Sequence, residues 1–521
     1  MLRVDTNTVG RDVGRIVQAV SLMMVVSIIV AALNREFYAI PAFVVSALIT
    51  VGIGTGLVRQ YRDATPPEKR DAMVTAATAW AIVGVLGGLP FLLVAWTIQV
   101  DPFPVWTNTP PMDSTTAVFL SPLDAVFESM SGFTGTGLTM AAVEEELPRT
   151  LHWWRSFIEW VGGVGVIVLT VAILRRGGGS NGSYTLYESE ARSKKIHPSI
   201  VTTVREIWKI FVGLTLGSIA LFLLVGMPLW DAINHGMTGI ATGGFSVHAE
   251  SIGHYDSPLI EYATVPVMVA GSIAFPVHYL IVNGEVRNVY ADLQTRWVFI
   301  WFAAGSIALT AILYANGQYA TFEETFRMSL FQFVSATSNT GFGTATIGEG
   351  TEQVWSAGAT LLACLGMLTG AAAGSTVSGL KLIRVLTLVN GTVWQIRDVF
   401  QPDSEIRYLQ LGERKLNEKQ AQREYTEAMV VFVLWLTFLA IGVTVLLRVL
   451  SPAHPLEYVI FDVMSAQSNV GLDSGITGPA MPGTAKAMLI INMWVGRLEI
   501  IPIAVLLGAV FRRLDLYRVG A

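Results

Sequence analysis

The stretch Thr134-Gly135-Thr136-Gly137-Leu138 follows an apolar segment, Ser121 to Phe133, that is too short to cross a bilayer as a helix. Similar stretches return as Ala241-Thr242-Gly243-Gly244-Phe245, Ser338-Asn339-Thr340-Gly341-Phe342 and Ser468-Asn469-Val470-Gly471-Leu472. The key glycines of the four copies are Gly137, Gly243, Gly341 and Gly471, and they are separated by 106, 98 and 130 positions. Four copies of one loop in one hydrophobic chain predict a ring of four around a single axis.

The composition is that of a membrane protein. Hydrophobic residues make up 52% of the 521 residues and charged residues 14%, whereas a soluble domain carries charge at about a quarter of its positions. The formal net charge of −5 is modest and argues against a nucleic-acid partner. Cys364 is the only cysteine, which excludes disulfides within the chain and cysteine-rich metal sites.

Apolar runs of spanning length lie on both sides of each loop, and two more precede the first copy. The first run, 11–33, follows basic residues as a secretory signal does, but Asn34-Arg35-Glu36 replaces a cleavage site, which favours a retained span. We therefore predict an all-α polytopic membrane protein with about ten transmembrane helices: two leading helices, then four repeats of helix, short helix, loop and helix. The other runs are 38–58, 72–98, 157–174, 207–229, 262–282, 297–313, 354–373 continuing to about 390, 428–450 and 486–511.

The repeats divide the chain into five segments. The two leading helices occupy 1–70, and the repeats occupy 71–200, 201–290, 291–423 and 424–521. Basic linkers follow residues 58, 174, 282, 384 and 511, all on one side of the predicted membrane. The positive-inside rule then places these linkers and both termini in the cytoplasm, with the loops opening outward from the plasma membrane.

The loops have the chemistry of an ion selectivity filter. A dehydrated monovalent cation needs oxygen ligands, and backbone carbonyls supply them without net charge. Glycine permits the backbone conformations that point carbonyls at one axis, and a β-branched residue before it is stiff. Ordinary glycine turns are the alternative, which four matched positions disfavour. The residues predicted to bind the cation are Thr136, Gly137, Thr242, Gly243, Thr340, Gly341, Val470 and Gly471.

A short helix is predicted before each loop, over 121–133, 231–241, 321–337 and 455–467. Each begins near a carboxylate, which the positive end of a helix dipole favours; these are Asp124, Asp231, Glu323 with Glu324, and Glu457. The opposite end of each helix then points its carbonyls into the membrane, where their partial negative charge favours a cation.

The loops at 134–138, 241–245 and 468–472 resemble those of the TrkH/KtrB/HKT superfamily of potassium and sodium transporters, and 338–342 is a looser match. The likeness covers nearly the whole chain and is closest to the TrkH type because of the two leading helices. In this family a glycine in the first loop accompanies potassium selectivity and a serine there accompanies sodium preference. The resemblance therefore implies potassium as the transported ion at Gly137.

The segment from Leu368 to Gly379 is rich in small residues that hold a helix poorly. It resembles the intramembrane gating loop of the family, although small residues also serve close helix packing in membranes. The resemblance implies a gate at Gly370, Ala371, Ala372, Ala373, Gly374 and Ser375.

Arg497 lies within the last apolar run, where a cation costs about 2.5 kcal/mol or more unless it faces a cavity or a partner. The sequence Gly496-Arg497-Leu498-Glu499 resembles a family signature whose arginine lies below the filter. The resemblance implies that Arg497 is a positive barrier and part of the gate. A structural salt bridge with Glu499 or another carboxylate is the alternative.

The resemblance implies potassium uptake controlled by a cytoplasmic nucleotide-binding subunit (RCK/KTN, TrkA-like) at linkers 175–206 and 384–424, and a homodimer in the lipid bilayer. We expect no cofactor and no enzymatic activity, because the sequence has no phosphate-binding loop, dinucleotide fingerprint or metal-ligand constellation. Three alternatives stay open: the membrane subunit of an ATP-driven potassium pump, a Na⁺-conducting or ion-coupled symporter relative, and a secondary transporter of organic solutes, which would require inverted repeats. His278 is expected to be a hydrogen-bonded structural residue.

Overall fold

The computed structural model of the chain describes residues 4–102, 109–176, 200–345, 347–348, 355–398, 400, 408–412, 414–452 and 454–513. These residues are mostly helical, as predicted for an all-α membrane protein. Most of the predicted basic linker of the first repeat, 177–199, lies outside the described residues.

The helices are numbered in chain order. They are α1 (Thr6–Leu33), α2 (Ala39–Gln60), α3 (Lys69–Gly87), α4 (Leu89–Val100), α5 (Ser114–Val118), α6 (Pro122–Thr134), α7 (Arg149–Arg176), α8 (Ile200–Leu224), α9 (Leu229–Ile240), α10 (Pro258–Ser272), α11 (Phe275–Val282), α12 (Asn288–Ala291), α13 (Leu293–Ala315), α14 (Phe322–Thr337), α15 (Ala357–Thr369), α16 (Leu382–Asp398), α17 (Glu418–Val449), α18 (Leu456–Ser468), α19 (Gly483–Arg497) and α20 (Ile501–Arg513). Two 3₁₀ turns cover Glu144–Glu146 and Ser251–Tyr255. A small antiparallel hairpin pairs β1 (Tyr408–Leu411) with β2 (Arg414–Asn417) in the polar segment before α17.

Six helices or helix pairs of the described residues are long and apolar enough to cross a membrane, and eight if two sharply bent pairs each count as one span. The sequence predicted about ten, and that number stays a prediction. The two leading helices, α1 and α2, pack through small residues, since a Cβ on Gly14 would lie 2.8 Å from the carbonyl oxygen of Gly54. Their outward side chains, such as Leu22 and Leu48, are apolar and exposed, as expected for a helix pair that faces lipid.

The second spans of the second and fourth repeats are broken, although each was predicted as one continuous run. The chain bends by 105° between α10 and α11 and by 112° between α19 and α20. The first bend precedes Phe275-Pro276, where Pro276 in the first turn of α11 has no N–H for a continued helix. At the second bend Glu499 and Ile500 both adopt positive φ, 56° and 67°, which ends the helix. Apolarity continues across both breaks, so composition gave no signal for them.

The four short helices α6, α9, α14 and α18 start and end within two residues of the predicted bounds. Each begins next to a carboxylate in its first turn, as predicted. Each C-terminal end packs against a glycine of the second span of its own repeat, where an added Cβ would come closer than 3.0 Å. The pairs are Gly162 with the Phe133 carbonyl, Gly271 with the Ile240 carbonyl, Gly366 with the Thr337 hydroxyl and Gly496 with the Gln467 carbonyl. These close approaches bring the four loops together at the centre of the molecule.

Candidate ion-conducting site

The four loops share one backbone conformation. Each contains three consecutive residues that follow the short helix. The first has a left-handed backbone conformation, the second is the middle residue, and the third is a glycine with positive φ. The left-handed residues are Gly135, Thr242, Asn339 and Asn469, with φ of 62°, 51°, 55° and 58°. The glycines are Gly137, Gly244, Gly341 and Gly471, with φ of 84°, 82°, 76° and 101°. In every copy the middle amide donates to the carbonyl five residues earlier: Thr136 to Ser131, Gly243 to Thr238, Thr340 to Ser335 and Val470 to Ser465, at 2.8 to 3.0 Å.

This conformation corrects the predicted register of the second loop. Gly243 was taken as the counterpart of Gly137, but the residue with the matching positive φ is Gly244. Gly243 is instead the counterpart of Thr136, and Thr242 is the counterpart of Gly135. Two consecutive glycines left the sequence unable to decide between them, since either can adopt positive φ.

The loops form a closed ring. A Cβ on Gly137 would come closer than 3.0 Å to the carbonyl oxygen of Gly243 in the second loop, which a real Cβ essentially never does. The same relation joins each following pair of loops: Gly244 to the Thr340 oxygen, Gly341 to the Val470 oxygen and Gly471 to the Thr136 oxygen. Each glycine therefore faces the middle carbonyl of the next loop, and the fourth loop returns to the first. Both the positive φ and the missing space restrict these positions to glycine.

Side chains also join neighbouring loops. The amide nitrogen of Asn339 donates to the carbonyl of Ser468 at 2.5 Å. The amide nitrogen of Asn469 donates to the Thr136 hydroxyl at 2.8 Å and to the carbonyl of Met493 at 2.9 Å. All of these groups are buried, where a hydrogen bond is costly to leave unmade. The ring is thus held by polar contacts as well as by shape.

A polar residue nine positions before each ring glycine braces the chain that leaves the ring. Glu128 accepts hydrogen bonds from the Met140 amide at 2.7 Å and the Thr139 hydroxyl at 2.8 Å. The other three braces make comparable contacts: His235 with the Ser246 hydroxyl at 2.9 Å, Gln332 with the Ala345 carbonyl at 3.0 Å, and Asp462 with the Ser474 amide at 2.8 Å. Sequence reasoning missed these residues. Aligning the copies on Gly244 would have revealed a polar residue at this position in every repeat.

We call the residues that follow each ring glycine the exit stretch. The braces hold each exit stretch against its short helix, so that it runs back toward the start of that helix. Residues 139–147, 246–256, 343–345 and 473–481 therefore lie on one side of the ring, which we call the mouth. At the mouth, the residues of the second repeat contact those of the third, since the Gly253 amide donates to the Gly343 carbonyl at 3.0 Å. The second repeat contacts the first through Arg155, which donates to the Ser246 carbonyl at 2.7 Å.

A buried ion pair supports the first loop. Arg155 of α7 donates to Glu128 at 2.7 Å, and the two side chains are 1% and 0% exposed. Glu159, one turn along α7, is also fully buried and accepts a hydrogen bond from the Phe245 amide at 3.1 Å. The carboxyl group of Glu159 fills the space beside Gly243 that a Cβ there would need. Neither Glu128 nor Glu159 was singled out from the sequence, because single acids in apolar runs have no distinctive spacing.

The side of the ring opposite the mouth is covered by residues 370–381, which interrupt the helical path between α15 and α16 as predicted. Gly370, Gly374 and Gly379 have positive φ of 53°, 83° and 69°, values that break a helix. Ala371, Ala372, Ala373 and Ser375 are buried, while Gly374 is exposed. The Ala373 amide donates to the side chain of Gln294 at 2.8 Å. Six of the seven residues predicted for the gate thus lie in this segment, and the seventh, Arg497, lies at the end of α19.

Thr376 connects the intramembrane segment directly to the ring. Its hydroxyl accepts a hydrogen bond from the Thr242 hydroxyl at 3.0 Å. The same hydroxyl lies 3.1 Å from the Ile240 carbonyl and 3.0 Å from the Gly271 carbonyl, to which it donates. A movement of the segment away from the ring would break these contacts.

Arg497 lies below the ring and is 2% exposed. Its guanidinium donates to the Thr376 carbonyl at 3.1 Å and the Ser378 hydroxyl at 2.6 Å on one side. On the other side it donates to the Gly162 carbonyl of α7 at 2.9 Å. The predicted alternative was a salt bridge with Glu499 or another carboxylate. Glu499 pairs with Arg384 at 2.7 Å instead, and the hydrogen bonds of Arg497 among the described residues go to uncharged groups. Arg497 therefore connects the intramembrane segment to α7 through neutral oxygens.

Comparison with known proteins gives the family. The profile of the TrkH family, described as a cation transport protein, matches residues 101–511. The chain belongs to the TrkH family. An uncharacterized cation transporter of Methanocaldococcus jannaschii is 33% identical over 514 residues, covering 97% of this chain and 96% of the relative. The Trk system potassium uptake protein TrkH of Halomonas elongata is 29% identical over 524 residues, covering 96% and 98%.

The fold of this TrkH-family chain matches an experimental one. The crystal structure of the potassium transporter TrkH from Vibrio parahaemolyticus has a TM-score of 0.80 and 25% identity, and the match covers 97% of this chain and 99% of that chain. Membership in the TrkH family confirms the resemblance inferred from the loops and the prediction of a multi-pass membrane protein that transports cations.

Two smaller predictions concern the second spans of this TrkH-family chain. The glycines of 160–165 and 268–272 were expected to permit close packing, and Gly162 and Gly271 do abut the ends of α6 and α9. His278 was expected to be hydrogen-bonded, and its Nε2 lies 2.9 Å from the Ala270 carbonyl across the bend between α10 and α11. It thus spans one of the two sharp breaks.

Proposed function

We propose that the chain carries K⁺ into the cell across the plasma membrane through the ring of four loops. The single observation that carries this proposal is the closure of the ring, in which each glycine faces the middle carbonyl of the next loop. A ring of backbone carbonyls replaces the hydration shell of a monovalent cation without adding charge. The names of the Halomonas and Vibrio relatives, which are potassium transporters, support K⁺ as the ion.

The corrected register changes the proposed filter at one position. The middle residues are Thr136, Gly243, Thr340 and Val470, and the ring glycines are Gly137, Gly244, Gly341 and Gly471. In this assignment Thr242 lies on the side of the ring that faces the intramembrane segment, where it contacts Thr376. The C-terminal carbonyl ends of α6, α9, α14 and α18 add partial negative charge at the same depth.

Residues 370–381 and Arg497 form the proposed gate. The segment covers the ring on the side away from the mouth, and the buried guanidinium adds a full positive charge to that path. A cation leaving the ring meets this charge at low dielectric, where repulsion is stronger than in water. The segment therefore has to move, and Arg497 with it, before ions pass.

The mouth is proposed to face the outside, with both termini in the cytoplasm, because the order of spans and loops in the sequence predicts the basic linkers on the side opposite the loops. A cytoplasmic nucleotide-binding subunit would then meet the linkers between repeats, including the polar segment with β1 and β2 that precedes α17. The proposed assembly is a homodimer of this chain together with that subunit. K⁺ is the transported ion, and we propose no cofactor on this chain.

Ion flux into liposomes holding the purified protein tests the filter. We expect K⁺ and Rb⁺ flux well above Na⁺ flux, and a weaker preference in Gly137→Ser. The matched control is Gly317→Ser, at a glycine that also has positive φ, 63°, but with nothing within 4 Å of an added Cβ. Equal K⁺ and Na⁺ flux in the wild type would contradict the selectivity. No flux of any ion after addition of the regulatory partner would contradict conduction and favour the pump-subunit alternative.

A further inference from the structure

Three metal-ligand side chains from two repeats meet at the mouth. The Nδ1 of His248 lies 3.1 Å from Oε1 of Glu145, and the Nδ1 of His254 lies 4.0 Å from the same oxygen. The ligand atoms of all three residues lie within 4.8 Å of one another. Glu145 belongs to the 3₁₀ turn after the first loop, and the two histidines follow the second loop. Their separation in sequence explains why no metal-ligand spacing was visible there.

We propose that Glu145, His248 and His254 bind one divalent transition-metal ion of the Zn²⁺ type. Two imidazole nitrogens and one carboxylate oxygen are the donor set that Zn²⁺ takes in sites with three protein ligands, with water in the fourth position. Ca²⁺ and Mg²⁺ prefer six or more oxygens, so this donor set does not suit them. The site is at the surface of the mouth, since the side chains of Glu145 and His254 are 38% and 44% exposed, so an ion can reach it directly.

The other nitrogen of His248 has the partner that a metal-binding imidazole requires. Its Nε2 lies 3.1 Å from Oδ2 of Asp231, and the same oxygen accepts a hydrogen bond from the Tyr255 hydroxyl at 2.7 Å. A carboxylate at the far nitrogen of a histidine fixes the proton there and directs the free lone pair of the near nitrogen to the metal. Asp231 therefore orients His248 with Nδ1 toward Glu145.

One side-chain rotation is needed for binding. The rings of His248 and His254 are stacked with centroids 3.6 Å apart and an interplanar angle of 5°. Lone pairs of imidazole nitrogens lie in the ring plane, so two parallel stacked rings cannot both point at one ion. His248 is fixed by Asp231, whereas His254 is exposed and its ring contacts only His248 and Tyr255 among the aromatic rings of the described residues. His254 is therefore the ring that turns to complete the site.

A metal-free arrangement competes with this proposal. Protonated His248 would satisfy Asp231 and Glu145 at the same time, one through each nitrogen. Burial lowers the pKa of His248, but hydrogen bonds and charges from Asp231 and Glu145 outweigh it and the net direction is upward. The stacked second imidazole of His254 beside the same carboxylate is not needed for that ion pair. It is the third ligand that distinguishes a metal site from a simple salt bridge.

A bound ion would act on the ring through a short chain of contacts. The His248 amide donates to the Ser246 hydroxyl at 2.9 Å, and that hydroxyl also contacts His235, the brace of the second loop, at 2.9 Å. A divalent ion there would add positive charge at the mouth and join the exit stretches of the first and second repeats. If the proposed function holds, this lowers the rate at which K⁺ enters, and external Zn²⁺ inhibits uptake.

Metal titration of the full chain in detergent, after removal of metals with a chelator, tests binding without any transport assay. We expect one equivalent of Zn²⁺ by calorimetry, and Co²⁺ absorption typical of a four-coordinate site. Glu145→Gln and His254→Gln should each weaken binding at least about tenfold, because losing even a hydrogen-bond partner of a metal ligand costs about 10- to 100-fold in affinity and these two residues are ligands themselves. His454→Gln is the matched control, at a histidine outside the cluster, and should leave affinity unchanged.

Absence of saturable binding in the wild type, or binding that survives both cluster substitutions, overturns the site. A second experiment measures K⁺ flux into liposomes with Zn²⁺ in the outside solution. Inhibition of the wild type that His254→Gln relieves supports the effect on transport. Binding with no change in K⁺ flux would retain the site but overturn its effect on uptake. Binding in a protein that conducts no ion would support the site while contradicting the proposed function.

Discussion

The side-chain amide of Asn469 donates a hydrogen bond of 2.8 Å to the hydroxyl of Thr136, a residue 333 positions earlier in the chain. This contact joins the last loop to the first and is made inside the protein, with both side chains buried. Asn469 also adopts positive φ, which asparagine tolerates better than most residues. One residue thus supplies both the backbone turn and the polar contact that close the ring.

Asn469→Asp keeps the size of the side chain and removes both of its N–H donors. The Thr136 hydroxyl and the Met493 carbonyl then face a carboxylate, and the unmade hydrogen bonds should lower the free energy of unfolding by about 2–3 kcal/mol. Thermal unfolding in detergent measures this loss. Asn316→Asp is the control, because Asn316 lies exposed after α13 and should change stability by about 0.5 kcal/mol or less. Equal shifts in the two variants would contradict the role of Asn469.

Gly341 and Gly343 provide a matched pair for the ring. A Cβ on Gly341 meets the Val470 carbonyl and has to be accommodated at φ of 76°, whereas a Cβ on Gly343 has no atom closer than 3.8 Å. Left-handed conformation alone costs a non-glycine residue about 1–2 kcal/mol. Gly341→Ala should therefore reduce K⁺ flux or its preference over Na⁺ at least about tenfold, since 1.4 kcal/mol is a factor of ten. Gly343→Ala should stay close to wild type in the same assay, and a similar loss there would count against the ring geometry.

The buried pair of Glu128 and Arg155 makes a strong prediction for stability. Glu128→Ala leaves the guanidinium buried without its carboxylate and frees the exit stretch of the first loop. Removing one partner of a buried pair costs about 3–5 kcal/mol, which should appear as poor folding or a large fall in melting temperature. Glu206→Gln is the control, because its partner Lys209 is 63% exposed and exposed pairs contribute about 1 kcal/mol or less. A mild effect of Glu128→Ala would show that the pair is not a structural support.

Thr376→Val tests the contact between the intramembrane segment and the ring. Valine keeps the shape of threonine but loses the hydrogen bonds with Thr242, Ile240 and Gly271, so the covering position of the segment becomes less stable. A loss of about 1.4 kcal/mol would raise the open population about tenfold, and K⁺ flux without any partner should rise accordingly. Thr444→Val is the control, since its hydroxyl bonds only within α17. Unchanged K⁺ flux in Thr376→Val would show that the contacts of Thr376 with the ring do not control gating.

The architecture could be predicted from the sequence because hydrophobic length and repetition are strong signals. Apolar runs gave the spans, and the short runs before the glycine loops gave α6, α9, α14 and α18 within two residues. The prediction that the runs 262–282 and 486–511 are continuous spans was wrong, because apolar residues continue across both bends. The first bend coincides with Pro276 at the start of α11, and the second with the positive φ of Glu499 and Ile500.

The site was predictable only in outline. Three of the four ring glycines followed from the repeats, but the choice between Gly243 and Gly244 could not be made from the glycines alone, since either can adopt positive φ. The braces depend on contacts between residues 11 to 13 positions apart across a turn, and Glu145 meets His248 over 103 positions. Such pairs become visible only when the chain is folded. The predicted roles of the loops and of residues 370–381 in ion passage stay predictions.

The ring is assembled from four different loops of one chain, and this has a consequence for how such a protein can evolve. In an assembly of four identical subunits every substitution at the axis is applied four times at once. Here the four middle positions hold three residue types, threonine at Thr136 and Thr340, glycine at Gly243 and valine at Val470, and each can change alone. A single nucleotide change alters one quarter of the lining, so natural variation can explore ion preference in steps a fourfold-symmetric protein cannot take.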